Sequence, residues 1–385
     1  MRKILVIFLI CVTLCFLIFN KKEKNDNELV FWTLQLSGYS DYFNKIISEF
    51  EQQNPHIKIK WIDVPYSEGE KRTLAAIMGN NPPDLVNLNP DFSVMLAKIG
   101  ALKTFSQSDM EQFNPQISNI LKGDDNYWGI PFYATSSVTY INKEITDAAN
   151  IKKTPKSYDD MYKNARQIKD KTGKYVTQPT IAENDTMIKI LNKYGINEEK
   201  DLKSKEALDV LNTYKKLYNE NLIPKETITQ GHRDALEKYM SGQIAYLVTG
   251  SNFLNIIKEN APQVYKNTDI SSQITTKNGG YDCSLMNLII PLRAKHSQDA
   301  LNFALFLTNE KNQIEFAKLT GVLPVNKNAL KDKYFVQIDG TLQTKSRNIS
   351  AKQLSNLLTP FKYGENQKET ISEYNKFVQK FLLEK

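Results

Sequence analysis

The chain has 385 residues, of which 41% are hydrophobic and 24% charged, and its 16 glycines and 14 prolines are scattered. That length exceeds one ordinary core and suits two medium domains, and the composition excludes a disordered, collagenous or coiled-coil chain. The formal charge of +7 is concentrated at the start, where Arg2, Lys3, Lys21, Lys22 and Lys24 face only Glu23. The remainder is nearly neutral and gives no footing for a nucleic-acid partner.

Residues 1–28 read as an export segment with a polar tether. Arg2 and Lys3 precede an apolar run from Ile4 to Phe19 that is interrupted only by Thr13. As a helix this run would rise about 24 Å, a little short of a bilayer core, and its flanking cations could snorkel to close the gap. Bulky Phe16, Leu17, Ile18 and Phe19 suit signal cleavage poorly. Ile10 before Cys11 and Leu14 before Cys15 suit a lipoprotein signal poorly too. The expectation is an N-terminal membrane anchor or an atypical signal that carries the body across the cytoplasmic membrane. Lys21–Glu28 is the tether, and Cys283 is the one cysteine of the body, without a disulfide partner.

The body opens with strand and helix in alternation. Leu29–Thr33 predicts a strand, and Phe43, Ile46, Ile47 and Phe50 recur at helical spacing before the Asn54-Pro55 stop. His56–Val64 alternates apolar and lysine positions, as a strand near a sheet edge does. Ser67 and Glu70 suggest a capping box, Asp84–Asn89 a third strand, and Asp91 a cap for the helix after it. This order predicts a parallel sheet with right-handed crossovers, whose ligands bind beyond the carboxyl ends of its strands. Residues 33–35, 64–66 and 89–92 lie there. Trp128–Asn142 reads as a looser stretch, and Ser157 with Asp160 starts another helix. Residues 204–219 carry a helical stripe, and Gly242–Phe253 runs as a strand into a Gly-Ser turn. Residues 285–291 form a further strand, helices follow at 297–309 and 311–319, and a last helix fills the end from about 361. No linker divides the body, as expected of two lobes joined by crossing strands.

The residues carry little reactive chemistry. His56, His232 and His296 have no metal-ligand spacing to other His, Cys or carboxylates and suit a solvated surface. HExxH, GxSxG and the Walker lysine motif are missing, and no cofactor is implied. Asp84, Asp91 and Asp282 lie nearest strand ends or turns, and for Asp91 the expected role is a helix cap or a ligand-hydroxyl acceptor, ahead of a catalytic acid. The aromatic residues are more telling. Trp32, Tyr66, Phe92, Trp128, Tyr133 and Phe253 fall at strand ends or in loops among polar neighbours, the composition that stacks on sugar rings.

Several stretches, in order, resemble the extracellular solute-binding proteins of ATP-driven sugar importers, the family that includes maltose-binding protein. They are LVFWT, FEQQNPHIKIKWIDVP, LAAIMGNNPPDLVNLNPDF, AKIGALKTF, WGIPFYATSSVTYIN, SGQIAYLVTGSNF and the run from LIIPLRAKHSQDA to GVLPVN. The resemblance covers residues 29–385. It implies an α/β, two-lobed periplasmic-binding-protein-like fold, each lobe a β-sheet flanked by helices, with a hinge of crossing strands. One lobe would take 29–140 and 276–325, the other 141–275 and 326–385. It implies a monomeric, non-enzymatic receptor on the extracytoplasmic face of the membrane, which binds a carbohydrate in an interlobe cleft and delivers it to the permease subunits of an ABC importer. Trp32, Gln35, Tyr66, Asp91, Phe92, Tyr133, Gly250, Ser251, Asn252 and Phe253 are the expected ligand-binding residues. A receptor for a peptide, polyamine or phosphorylated polyol is the alternative, followed by a membrane-attached glycoside-active enzyme or an adhesion protein.

Overall fold

The computed structural model describes residues 27–384 except 182, 278 and 365. The apolar run Ile4–Phe19 therefore lies outside the described residues. Among those described, no helix is long and apolar enough to cross a membrane.

The first elements follow the sequence pattern. Strand β1 (Glu28–Leu34) is followed by helix α1 (Ser40–Gln53), β2 (Lys58–Val64), α2 (Tyr66–Met78), β3 (Leu85–Leu88) and α3 (Pro90–Lys98). β1 pairs in parallel with both β2 and β3. β2 is an edge strand whose Lys58 and Lys60 are exposed, as its alternation demands. Two helix starts differ from the sequence reading. α2 begins at Tyr66, directly after Pro65, so Ser67 sits inside the helix and no side chain caps it. At α3 the Asn89 Oδ1 accepts the Phe92 N–H at 2.9 Å and Pro90 occupies the first turn. Asn89, and not Asp91, is the capping group.

The stretch expected to be loose is two strands, β4 (Ile130–Thr135) and β5 (Ser137–Asn142), separated by Ser136 alone. Beyond them come α4 (Tyr158–Lys163), α5 (Thr186–Lys193), α6 (Lys205–Asn219), α7 (His232–Met240), β6 (Tyr246–Gly250) and α8 (Phe253–Asn260). Then follow β7 (Thr268–Ser272), β8 (Ser284–Ile289), α9 (Ser297–Leu307), α10 (Glu310–Thr320), β9 (Leu323–Pro324), α11 (Leu342–Gln353) and α12 (Gln367–Leu383). The strands form a six-stranded mixed sheet in the order β2-β1-β3-β8-β4-β9 and a three-stranded antiparallel sheet in the order β6-β5-β7. Two sheets, each flanked by helices, are the architecture the sequence implies.

Contacts divide the chain into two compact units. Among the described residues, the first holds 27–88 with Leu96–Lys103 and Leu288–Leu307. Its core is aromatic: Phe31 meets Phe303 edge-on at 5.4 Å, Phe50 meets the same ring at 5.1 Å, and Phe43 stacks on Trp61 at 4.7 Å. Each such ring contributes about 1.5–3 kcal/mol by leaving water. Buried Asp84 accepts the N–H groups of Val30 and His296, both at 2.9 Å, so its charge ties backbone to backbone inside this unit. The second unit holds Asn89–Met95, Thr104–Asn287 and Thr308–Lys385. Alternate residues of β5 feed two apolar clusters. Val138 and Tyr140 pack with Leu236, Leu254 and Ile270, while Ile141 packs with Tyr214, Tyr246 and Val378. The three-stranded sheet is thus buried on both faces.

Candidate functional site

In the second unit the chain passes twice between the sheets, at Ser136 and across residues 273–283, and a buried polar network holds both passages. Gln353, from the last turn of α11, donates to Ser136 Oγ at 2.7 Å and to the Ser137 carbonyl at 2.8 Å. Its Oε1 accepts the Gln273 N–H at 2.6 Å. Gln273 Oε1 in turn accepts the Asp282 N–H at 2.9 Å. Gln353 is 2% exposed, so every one of these groups needs its partner.

These passages form one wall of a cavity of about 980 Å³ that is lined by residues of the second unit. A second wall comes from α4 and α5. Ser157 caps α4 by accepting the Asp160 N–H at 3.1 Å. The cap places Tyr158 and Tyr162 one turn apart on the cavity side, their rings 6.0 Å apart and inclined by 26°. Burial raises the pKa of Tyr158, Tyr162 and Tyr214, so all three remain neutral phenols. Lys193, at the end of α5, is buried with all its donors engaged. Nζ lies 2.7 Å from Asp282 Oδ2, 2.9 Å from Gln273 Oε1 and 3.4 Å from the Ile274 carbonyl. Burial opposes its charge, but Tyr158 and Asp282 beside it outweigh burial and leave its pKa raised.

The third wall is the end of β6. Tyr140 donates to the Gly250 carbonyl at 2.8 Å, and Gly250, Ser251 and Asn252 line the cavity before α8 begins. A Cβ on Gly250 would come within 2.4 Å of Asn252 Oδ1. His232 stands nearby, half-buried, its Nε2 2.9 Å from Thr249 Oγ1, and Glu183 Oε2 accepts its N–H at 2.5 Å. Burial holds the imidazole below its usual pKa against the pull of Glu183. The sequence reading of His232 as a solvated surface residue is thereby corrected. Gln178, 3% exposed, donates to Gln230 Oε1 at 3.1 Å, while its own Oε1 is buried without a partner. Arg347 of α11 completes the lining with Tyr334, Gln343 and Ser350.

Of the expected binding residues, Gly250, Ser251 and Asn252 come together in this cavity. Phe253 opens α8 behind them, edge-on to His232 at 5.3 Å. Asp91 is exposed and accepts from Gln367 Nε2 at 2.9 Å, and Phe92 is half-buried on the same turn. Tyr133 of β4 packs against Phe132 and Phe316, and Trp128 lies over Gly123, where a Cβ would meet its Nε1 at 2.7 Å. Trp32, Gln35 and Tyr66 belong to the first unit. Trp32 is half-buried with Nε1 unpartnered, Gln35 has a positive φ of 55°, and Tyr66 is 54% exposed. Asp63 orders this corner: it accepts from Thr33 Oγ1 at 2.6 Å and from the N–H groups of Leu36 and Ser37.

Sequence reasoning did not name Tyr158, Tyr162, Lys193, Gln353 or Arg347. Only the Ser157 cap signalled that one of their helices starts where it does. The lining holds no activated nucleophile. Burial pushes the Cys283 thiol up to about 12, Asp282 is paired, and among the described residues no group of three or more metal-ligating side chains forms.

Comparison with known proteins agrees with this architecture. The family of bacterial extracellular solute-binding proteins matches residues 36–314. The diacetylchitobiose binding protein DasA of Streptomyces coelicolor is 23% identical over 326 residues, covering 79% of this chain and 74% of its own. The arabinooligosaccharide-binding protein of Halalkalibacterium halodurans is 22% identical over 294 residues, covering 72% and 66%. Among solved structures, a periplasmic-binding protein of Synechococcus sp. MITs9220, provisionally assigned to oligosaccharides, superposes with a TM-score of 0.79 at 27% identity, covering 92% of this chain and 93% of that one. The sugar-binding protein MalE of Xanthomonas citri superposes with a TM-score of 0.73 at 16% identity, covering 92% and 97%. Two helix-flanked sheets, the twice-crossing chain and the match over most of its length place this protein in the family of bacterial extracellular solute-binding proteins, non-catalytic receptors that work outside the cytoplasm.

Proposed function

We propose that the protein captures an oligosaccharide and presents it to the permease subunits of an ABC importer. The observation that carries this reading is the cavity lining. Tyr158, Tyr162 and Tyr334 offer aromatic surface, and Ser137, Gln178, Asn252 and Ser350 offer donors and acceptors between them. Rings of this kind pack on the C–H faces of sugars while amides and hydroxyls bind their hydroxyl groups. A volume of about 980 Å³ stands at the upper end of small-molecule sites, which suits more than one sugar ring. The ligands named for the two curated relatives, diacetylchitobiose and arabinooligosaccharide, support the same class. A polyamine would need several free carboxylates, whereas Asp282 is paired with Lys193 and Glu183 is engaged by the His232 N–H.

The lobes are assigned as 29–140 with 276–325 and 141–275 with 326–385, hinged at the two passages beside Ser136 and Asp282. In the closed state Trp32, Gln35, Tyr66, Asp91, Phe92 and Tyr133 add contacts to those of Gly250, Ser251, Asn252 and Phe253. Ligand favours closure by whatever contacts it makes only there, and a complete shift from open to closed needs about 5.5 kcal/mol of them. The N-terminal apolar segment is proposed to keep the receptor, as a monomer, at the membrane surface.

A thermal-shift screen of the full-length chain in a sugar-free detergent tests the reading, with oligosaccharides, sugar alcohols, peptides and polyamines as ligands. Stabilisation by an oligosaccharide alone is the expected result, because a ligand of the native state must raise Tm. Stabilisation by a peptide or polyamine, with silence across the sugars, overturns the substrate class and keeps the receptor.

A further inference from the structure

Among the described residues, two charges of the cavity lining lack an oppositely charged partner, Glu183 and Arg347. Lys193 meets Asp282 at 2.7 Å, Lys189 meets Asp185 at 2.9 Å, and Glu183 is held by the first N–H of α7. Arg347 has no such partner. Its guanidinium carbon lies 3.6 Å from the centroid of the Tyr334 ring, and Nε donates to the Tyr334 carbonyl at 2.5 Å. Among the described residues neither terminal nitrogen has a protein acceptor. The side chain is half-buried on α11, between buried Ser346 and Ser350. Its face and its inner nitrogen are thus fixed, and the outer edge of a planar fork remains available. That edge matches a carboxylate with two parallel N–H···O bonds, which a hydroxyl cannot reproduce.

We infer that Arg347 is a specificity-determining residue for a carboxylate on the ligand, and that the preferred ligand is an oligosaccharide containing a uronate ring. This rests on the carbohydrate reading above. The tyrosines and amides take the ring faces and hydroxyls, and the uncompensated guanidinium takes the acid.

Isothermal titration of the full-length chain, with trisaccharides of glucose, galactose and mannose each beside its uronate counterpart, tests the assignment. At least one uronate is expected to bind ten or more times tighter than its neutral counterpart. Arg347→Gln should remove that preference, bringing the uronate and neutral members of the pair to within about twofold of each other, whatever its effect on the affinity they share. Should this variant fold poorly, salt gives the same answer on the native chain. Raising ionic strength from about 0.05 to 0.5 M weakens a charge-paired ligand and leaves a neutral one unchanged. Equal affinity for both members of every pair overturns the role of Arg347 while carbohydrate binding stands. Absence of binding across both sets removes the carbohydrate reading and this assignment with it.

Discussion

At the scale of single residues, the cavity is governed by groups that burial holds in one protonation state. His232 is neutral in the fold and has a pKa below 6.5, whereas the unfolded chain takes up a proton near 6.5. The unfolded state therefore binds more protons below that value, so stability holds above pH 6.5 and declines as pH falls through the folded pKa. Tm followed from pH 8 to 5 should show a small step that His232→Gln abolishes; an unchanged step would assign it to another group. Lys193 behaves differently, since its raised pKa keeps its contribution intact until strongly alkaline pH. Asp282→Asn would leave that ammonium buried without a counter-charge and should cost on the order of 3 kcal/mol in urea unfolding. Adding Lys193→Met should recover part of the loss. Trp32 tests the other part of the proposed site. Trp32→Ala should weaken ligand binding more than about tenfold with the fold intact, because a stacked ring contributes on the order of 1.4 kcal/mol or more. Unchanged affinity would remove it from the site.

At the scale of elements, the segment between β7 and β8 depends on close backbone approach. Tyr281 exchanges hydrogen bonds with Asn356 and Leu358, and a Cβ on Gly280 would stand 2.9 Å from Leu357 C and Leu358 N. Backbone cannot swing aside as a side chain can. Gly280→Ala should therefore destabilise the protein by about 1–3 kcal/mol, while Gly38→Ala, with open space around it, should stay within about 0.5 kcal/mol in the same assay. Legibility in the sequence followed the same line between local and distant. The β1-α1-β2-α2-β3 alternation was readable because its periods are short-range. The α4 cap was readable because Ser157 and Asp160 are neighbours. β4 and β5 were hidden because Ser136 alone joins them, and because Pro131 lies inside β4, where a proline argues against a strand. Asp91 misled because Asn89, two residues earlier, caps the helix in its place and leaves Asp91 inside the first turn. The cavity was the least legible part. Tyr158, Lys193, Asp282, Arg347 and Gln353 come from separate stretches, and no local pattern marks a tyrosine that faces a cavity instead of a core.

At the scale of the whole molecule, ligand binding and stability are linked. A sugar present at 100 times its Kd should add about 2.7 kcal/mol to unfolding, and Tm should continue to rise with concentration beyond saturation of the site. A plateau at saturation would show that the ligand also binds the unfolded chain. The interleaving of the two compact units has a further consequence, for the time before the protein is folded at all. Phe303 is central to a core that Phe31, Phe43 and Phe50 cannot complete without it. Those three rings leave the ribosome early, and their partner arrives only when most of the chain has been made. Contacts so distant in sequence form slowly. The first unit therefore cannot complete its core until residues 288–307 have been made.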